Sequence, residues 1–272
     1  MAIDIDGTLL NDNQQISPSN IESITQLLLS GVYIVLCSGR ATGGMEHIAR
    51  ELDLYSYENA LLASFNGTCI THAKSNTELF SWELSPQDVQ VINQLSIDFD
   101  IPVIFNTRAH HIINYRYCDH EFIKKKIKNR ADIQYVPDGD INRLDRVLKA
   151  SLVVESTKLE KYLLELHFSG IVRDFHSTRS EPWLLEISVL NSGKGAALHY
   201  LSNALNIKNS EIASIGNQEN DIPMLTHADF SFAVGNATDA VKSHARYITS
   251  TNNQSGVSEA IRILSNLSLL AF

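Results

Sequence analysis

The sequence predicts an α/β protein: a doubly wound, Rossmann-like parallel sheet core with an inserted α+β cap domain. Two observations support this prediction. Both ends of the chain alternate short apolar strands with helical segments, an order that implies right-handed crossovers onto a parallel sheet. Between them, the strands are shorter and more mixed. We therefore expect a discontinuous core over residues 1–67 and 184–272 and a cap over residues 68–183.

The first core segment opens with a short apolar strand, Ala2 to Ile5, that runs into an Asp-Gly turn. Ser17-Pro18 then supplies an N-cap and a proline at the first helical position, followed by Ile and Leu residues at helical spacing. The continuous apolar run 32–37 is typical of a strand buried on both faces of a parallel sheet. The segment continues with a helix over 42–52 and a strand over 60–64.

The remaining elements follow from the same patterns of periodicity and turn residues. In the cap we predict strands over 79–84, 102–106, 111–115 and 152–154, and helices over 86–95, 121–128 and 158–168. In the second core segment we predict a helix over 194–205, a strand over 212–215, a helix from Asp221, a strand over 230–234 and a helix over 238–244.

The composition limits the classes of function. The chain has 272 residues, of which 44% are hydrophobic and 19% charged, as in globular proteins that bury a core. Its net charge of −9 argues against binding to nucleic acid, and we interpret the short basic run at 124–130 as a solvated helix face.

The cysteines and the apolar segments indicate the cellular compartment of the protein. The three widely spaced cysteines form no CxxC pair, which is typical of a reducing compartment. The chain shows neither a basic, apolar leader nor an apolar stretch near the ~20 residues that span a bilayer. We therefore expect a cytoplasmic protein without a nucleic-acid or membrane partner.

The residues Asp4-Ile5-Asp6-Gly7-Thr8 follow the first strand, where a doubly wound sheet binds its ligands. Side chains spaced by two leave a strand on the same side. Two like charges held close, facing solvent and without an Arg beside them in sequence, indicate a cation, and Mg²⁺ prefers such oxygen ligands. An EF-hand is excluded because Leu9 and Gln15 stand where that loop needs Gly and Glu. The G-x-G-x-x-G pattern of a dinucleotide site is absent after this strand. A plain polar turn remains a possible interpretation of these residues.

Three further loops carry polar groups near predicted strand ends and helix starts. Cys37-Ser38-Gly39-Arg40 offers a hydroxyl and backbone N–H groups at a helix N-terminus, which favours an anion, while Cys37 itself is interpreted as a buried strand residue. Lys194 starts a helix, where a cation is unfavourable unless it faces an anion. Walker A does not fit, because Gly195 stands where it needs Ser or Thr. Gly216 to Asp221 brings amides and an acid to another strand end, although it also reads as a helix cap.

Together these four motifs resemble those of the haloacid dehalogenase-like hydrolases, and among them the Cof-type phosphatases. The matching strings are AIDIDGTLL, VLCSGR, FNG, SGKGAAL, GNQENDIPML, VGNATDAVKSHARYIT and SGVSEAI. The resemblance spans both core segments nearly end to end and keeps the motif order, whereas the cap matches by position and size. It implies a phosphatase whose cap is inserted after the third core strand.

The resemblance also implies a role for each motif residue. Asp4 would be the nucleophile that takes the phosphoryl group, and Asp6 would protonate the leaving alcohol and then activate water. The groups placed around Mg²⁺ would be the Asp4 carboxylate, the Asp6 backbone carbonyl and the Asn217 side chain, with Asp221 in support. The residues that bind substrate would be Ile5, Ser38, Gly39, Lys194 and Asn220.

One position departs from the family pattern, which usually has Asp where this chain has Asn217. An amide oxygen can ligate Mg²⁺, but it brings no negative charge. Two alternatives to a phosphatase therefore stay open: a phosphomutase that returns the phosphoryl group to its substrate, and a pseudo-enzyme that only binds a phosphorylated ligand. The presence of both Asp4 and Asp6 argues against the pseudo-enzyme.

The expected partner is a small phosphorylated metabolite, with sugar phosphates and cofactor phosphates both open. The core motifs recognise only phosphate, metal and the leaving oxygen, so we expect the cap to select the substrate. The polar cap residues considered for that contact are Arg108, His110, His111 and Arg116.

Overall fold

The computed structural model describes residues 1–118, 120, 133–153, 175–181 and 183–267, without the side chains of 178–181. The predicted helices over 121–128 and 158–168 lie outside these residues, as does the basic run. The chain divides into two compact units: a core unit, Met1–Phe80 with Gly193–Phe272, and an inserted unit, Ser81–Ser192.

The core unit is built on an eight-stranded sheet. Its strands are β1 (Ala2–Asp4), β2 (Ile34–Cys37), β3 (Ala60–Ser64), β4 (Cys69–His72), β5 (Glu78–Ser81), β12 (Ala213–Gly216), β13 (Phe230–Ala233) and β14 (Tyr247–Ile248). They lie in the order β14-β13-β12-β1-β2-β3-β4-β5, and the six strands from β14 to β3 are parallel. The predicted doubly wound α/β core is confirmed.

Six helices of the described residues precede, connect or follow the parallel strands of this sheet. They are α1 (Pro18–Leu29), α2 (Thr42–Glu51), α5 (Lys194–Ala204), α6 (Ile222–His227), α7 (Asp239–His244) and α8 (Gly256–Asn266). The cap predicted for α1 forms, because the Ser17 side chain accepts a hydrogen bond from the Asn20 N–H. Ile24 and Leu27 of that helix are buried in one hydrophobic core with strand residues such as Ile3.

The first unit boundary differs from the predicted one at 67/68. The turn at Phe65–Gly67 leads into β4, which pairs antiparallel with β3 from Leu61–His72 to Ser64–Cys69. The core sheet therefore gains two more strands before the chain leaves it at Phe80. The second boundary lies at 192/193, where the prediction placed it at 183/184.

The inserted unit is an α+β layer with its own sheet. Its strands are β6 (Val103–Asn106), β7 (His111–Asn114), β8 (Ile133–Val136), β9 (Lys149–Val153), β10 (Phe175–Glu181) and β11 (Leu184–Val189). They lie in the order β10-β11-β9-β6-β7-β8, and every pair except β7–β8 is antiparallel. One face of the sheet packs against α3 (Pro86–Asp98) and α4 (Asp138–Ile141).

The length and the apolarity of a helix decide whether it could span a membrane. Within the parts of the chain that the structure describes, none is both long and apolar enough to cross a bilayer.

Candidate active site

The four sequence motifs meet at the carboxyl edge of the core sheet. Asp4 is the last residue of β1, and the neighbouring strands β2 and β12 end at Cys37 and Gly216. The loops that follow these strands carry Ser38 and Asn217, so parallel packing brings together residues far apart in sequence. This edge is where doubly wound sheets bind ligands.

Lys194 lies between two carboxylates. Its Nζ is 2.5 Å from Oδ1 of Asp4 and 2.6 Å from Oδ1 of Asp221. Asp4 is 4% exposed and Lys194 is 2% exposed, so all three charges are buried together. Lys194 therefore faces two anionic side chains at its helix start, and its contact with a phosphoryl group stays a prediction.

Burial and charge change the acidity of this group of residues. Burial, with the Asp221 carboxylate beside it, raises the pKa of Asp4 to about 7, against the opposing effect of Lys194. Burial alone would lower the pKa of Lys194, but Asp221 and Asp4 raise it well above its ordinary value. Two carboxylates share one ammonium group here, so the site has an excess of negative charge that a bound cation would balance.

Two buried oxygens indicate where such a cation would fit. Among the described residues, Oδ2 of Asp4 and Oδ1 of Asn217 are buried side-chain oxygens without a hydrogen-bond partner. A buried acceptor without a partner is costly, and a hard oxygen-seeking cation such as Mg²⁺ would satisfy both. These oxygen donors therefore fit Mg²⁺, with an amide in place of one carboxylate.

Asp221 contributes to the site as a support. Its Oδ1 contacts Lys194, and its Oδ2 accepts hydrogen bonds from the backbone N–H groups of Asn217, at 2.8 Å, and Gln218, at 3.0 Å. One oxygen of Asp221 thus pairs with Lys194, and the other holds the loop that carries Asn217. Over the described ranges, no three His, Cys, Asp or Glu side chains form a metal cluster, so the fit depends on the amide and on backbone oxygen.

Asp6 does not share the environment of Asp4. Its side chain is 49% exposed and forms a two-point ion pair with Arg40, with Nε 3.0 Å from Oδ2 and a terminal nitrogen 2.6 Å from Oδ1. The same guanidinium donates to Oε1 of Gln14 at 2.8 Å. The expectation that both carboxylates face solvent is therefore wrong for Asp4, which is buried, and Arg40, distant in the sequence, reaches Asp6 from the loop after β2.

Ser38 and Gly39 lie against the turn that follows β3. The Ser38 hydroxyl accepts a hydrogen bond from the Arg40 N–H at 3.1 Å, and the Ser38 carbonyl accepts one from the Asn66 N–H at 2.7 Å. Asn66 Oδ1 in turn accepts from the Asn220 side chain at 3.1 Å. Asn66 thus joins two predicted phosphate-binding loops, a role that the FNG string alone did not reveal.

Two residues next to Asp4 have buried side chains. Ile5 belongs to the hydrophobic core and is completely buried, so only its backbone could contact a substrate. Cys37 pairs with Asp4 across β1 and β2, and burial raises the pKa of its thiol to about 12. The thiol is therefore un-ionised at neutral pH, as expected of a packing residue.

The predicted cap residues all belong to the inserted unit. Arg108 and His110 lie in the turn between β6 and β7, and His111 starts β7 with its Nδ1 2.7 Å from Oδ1 of Asn106. Arg116 lies in the turn after β7 with its guanidinium over the Tyr117 ring, 5.7 Å from the centroid. All four residues therefore lie within the inserted unit.

Comparisons with known proteins show the family of the chain. A family model for haloacid dehalogenase-like hydrolases matches residues 1–261. A 5-amino-6-(5-phospho-D-ribitylamino)uracil phosphatase of Bacillus subtilis is 31% identical over 262 residues, covering 96% of this chain and 94% of that protein. Phosphatase YwpJ of the same organism is 26% identical and covers 97% and 99% of the two chains.

The fold has solved counterparts. The crystal structure of a haloacid dehalogenase-like hydrolase from Bacteroides thetaiotaomicron is similar with a TM-score of 0.83 at 28% identity, covering 97% of this chain and 98% of that one. The similarity includes both the core unit and the inserted unit, since nearly the whole chain is matched.

Proposed function

Because the chain belongs to the haloacid dehalogenase-like hydrolases, as a phosphatase of the Cof type, we propose that it hydrolyses small phosphorylated metabolites through a phosphorylated Asp4. The observation that carries this proposal is the state of the Asp4 carboxylate. It is buried, Lys194 holds one of its oxygens, and the other has no partner among the described residues. A carboxylate oriented in this way can act as a nucleophile.

The proposed reaction has two steps. In the first, an oxygen of Asp4 attacks phosphorus and the bond from phosphorus to the leaving oxygen breaks, while Asp6, protonated and released from its ion pair with Arg40, gives its proton to that oxygen. In the second, a water oxygen attacks phosphorus, Asp6 takes a proton from that water, and the bond between phosphorus and Asp4 breaks. Inorganic phosphate and an alcohol are released, and both carboxyl groups return to their initial states.

We further propose that the reaction depends on Mg²⁺, which phosphatases of this superfamily generally use. The ion would be held by the Asp4 carboxylate, the backbone carbonyl of Asp6 and the side chain of Asn217. When bound, it would offset the negative charge of the phosphoryl group. Lys194 would supply a second positive charge, which suits a loose transition state that needs positioning and neutralisation.

The substrate class that we propose is sugar phosphates or cofactor phosphates. A relative is named for the phosphate ester of a ribitylaminouracil, a hydroxylated cofactor precursor. The inserted unit would select among such compounds, since the core motifs address only the phosphate end. No disulfide joins the three cysteines among the described residues, and we propose a cytoplasmic location.

The test compares three Asp→Asn variants in Mg²⁺-dependent release of phosphate from p-nitrophenyl phosphate. Asp4→Asn removes the nucleophile with little change in volume, so we expect turnover to disappear and the fold to remain. Asp6→Asn should lower turnover by about 10²- to 10⁴-fold, the usual contribution of a general acid–base group. The control is Asp53→Asn, an exposed position after α2, which should keep wild-type activity.

Mass spectrometry of the quenched Asp6→Asn protein should show phosphate on Asp4. Robust turnover in Asp4→Asn would eliminate the covalent mechanism. Transfer of phosphate back to the organic product without net release would favour the phosphomutase alternative.

A further inference from the structure

We propose that Asn236 is a positioning residue that keeps the two segments carrying the proposed Mg²⁺ ligands in register with each other. The inference rests on the proposed function for the identity of the metal. Its structural basis is the loop at residues 235–238, which follows β13, the strand beside β12. The loop belongs to one of the strings that carry the family resemblance, but the resemblance as given above assigns no role to any of its residues.

The first contact joins this loop to the segment after the proposed nucleophile. The side-chain N–H of Asn236 donates to the carbonyl of Gly7 at 2.8 Å, and Gly7 directly follows Asp6. Gly7 has φ of +75°, and a Cβ built there would lie only 2.4 Å from the side-chain nitrogen of Asn217. The segment with Asp6 therefore lies directly against the Asn217 amide, and it can do so only because residue 7 is glycine.

The second contact joins the same loop to the other ligand segment. The backbone N–H of Thr238 donates to the carbonyl of Asn217 at 3.2 Å. One short loop thus holds the Gly7 peptide with a side chain and the Asn217 peptide with its backbone. The separation of these two peptides sets the separation of the oxygens that would bind the metal.

Asn236 is itself held in one orientation. Its Oδ1 accepts a hydrogen bond from the backbone N–H of Asn252 at 2.9 Å. Asn252 is 3% exposed, and its amide donates to the Leu10 carbonyl and to Asp12, both at 3.1 Å. Both the nitrogen and the oxygen of the Asn236 side-chain amide therefore have hydrogen-bond partners. Because Asn236 is exposed, core packing does not explain this arrangement.

The test measures Mg²⁺ affinity by calorimetry on the full-length protein, without substrate. Asn236→Ala should weaken Mg²⁺ binding about three- to tenfold, the range that one hydrogen bond supports. The Mg²⁺ concentration for half-maximal activity should rise by the same factor, while kcat at saturating Mg²⁺ changes less. The matched control is Asn253→Ala, which removes an exposed amide that donates to Asp12 at 2.9 Å, and its Mg²⁺ affinity should stay within twofold of wild type.

Thermal unfolding of both variants separates a local effect from a loss of the fold. If Asn236→Ala does not fold, Asn236→Ser carries the same expectation, because its hydroxyl keeps the position polar but cannot reach the Gly7 carbonyl. An Asn236 variant that binds Mg²⁺ as tightly as Asn253→Ala overturns the positioning role alone. A wild-type protein that binds no Mg²⁺ overturns this inference together with the proposed metal dependence.

Discussion

At Asn217 a neutral amide stands where the family pattern places a carboxylate. The residue is 6% exposed, its N–H is bound by Asp221, and its side-chain nitrogen lies against Gly7. Its Oδ1 is therefore the atom left for a ligand. A carboxylate in the same position would add a third negative charge beside Asp4 and Asp221. It would therefore lower the stability of the metal-free protein and raise its affinity for Mg²⁺.

Asn217→Asp should tighten Mg²⁺ binding about tenfold or more. A unit-charge pair near 4 Å is worth about 4 kcal/mol at an effective dielectric of ~20, and less in an open site, while 1.4 kcal/mol already gives a factor of ten. Without metal, we expect the variant to melt at a lower temperature than wild type, and Mg²⁺ should raise its melting temperature more. Calorimetric titration and thermal unfolding with and without Mg²⁺ measure both effects.

The control for this variant is Asn203→Asp, an exposed position nine residues beyond Lys194 on α5, or ~13 Å along the helix. It adds the same charge and should leave Mg²⁺ affinity nearly unchanged. An affinity equal to that of wild type in Asn217→Asp would show that this side chain is not a ligand.

The role of a single residue could be predicted where its partners lie close to it in the sequence. Asp4, Asp6 and Lys194 belong to short motifs, so their chemistry was readable from neighbouring residues. The partner of Asp6 was not, because Arg40 stands 34 positions away and reaches it only when β1 and β2 pair. The role of Asn66 was hidden for the same reason, since its contacts are to Ser38 and Asn220.

At the scale of elements, the contact between α5 and α6 places Lys194. That residue is the first of α5, and the next residue, Gly195, meets Pro223 at the start of α6. A Cβ built at Gly195 would lie 2.5 Å from the Pro223 Cβ and 2.8 Å from its carbonyl carbon. The two helices can approach this closely only because residue 195 is glycine, and the approach brings Lys194 to Asp221.

Gly195→Ala should therefore lower the free energy of unfolding by about 1–3 kcal/mol, the usual cost of overpacking, and should also reduce turnover by displacing Lys194. The matched control is Gly43→Ala in α2, where a Cβ would have no atom within 4 Å. That change should raise the free energy of unfolding by about 0.4–1 kcal/mol and leave turnover unchanged. Urea unfolding and initial rates test both; a destabilisation of equal size at the two positions would contradict the argument.

The elements that were predicted well have strong local signals. The strand over 60–64 and the start of α1 match the structure because an apolar run and a capped, periodic segment define them. Five strands were missed, since they depend on partners that the sequence does not show: β4, β8, β10, β11 and β14. The residues of β4 follow Asn66-Gly67, which was interpreted as a domain boundary but is the turn of a hairpin.

At the scale of the whole molecule, each unit has its own hydrophobic core. In the inserted unit, Phe105 and Leu152 on one sheet face pack with Val89 and Ile92 of α3. The other face carries a buried ion pair between Lys149 and Glu186. The core unit has a separate buried cluster around its parallel sheet. Since neither of these two clusters, as far as the described residues go, includes a residue of the other unit, we expect the inserted unit to be exchangeable.

In the proposed chimera, residues 81–192 are replaced by the matching segment of the Bacillus subtilis phosphatase that is 31% identical to this chain. The chimera should fold and release phosphate from p-nitrophenyl phosphate at a rate within about tenfold of wild type. Its ranking of metabolite phosphates should follow the donor, because we place substrate selection in the inserted unit. The paired control exchanges residues 68–183, the boundaries first predicted. That exchange removes β4 and β5 from the core sheet and, at the other end, separates β11 from its sheet partners β10 and β9, so it should melt earlier or fail to fold. A well-folded 81–192 chimera that keeps the parent ranking would place substrate selection in the core unit instead.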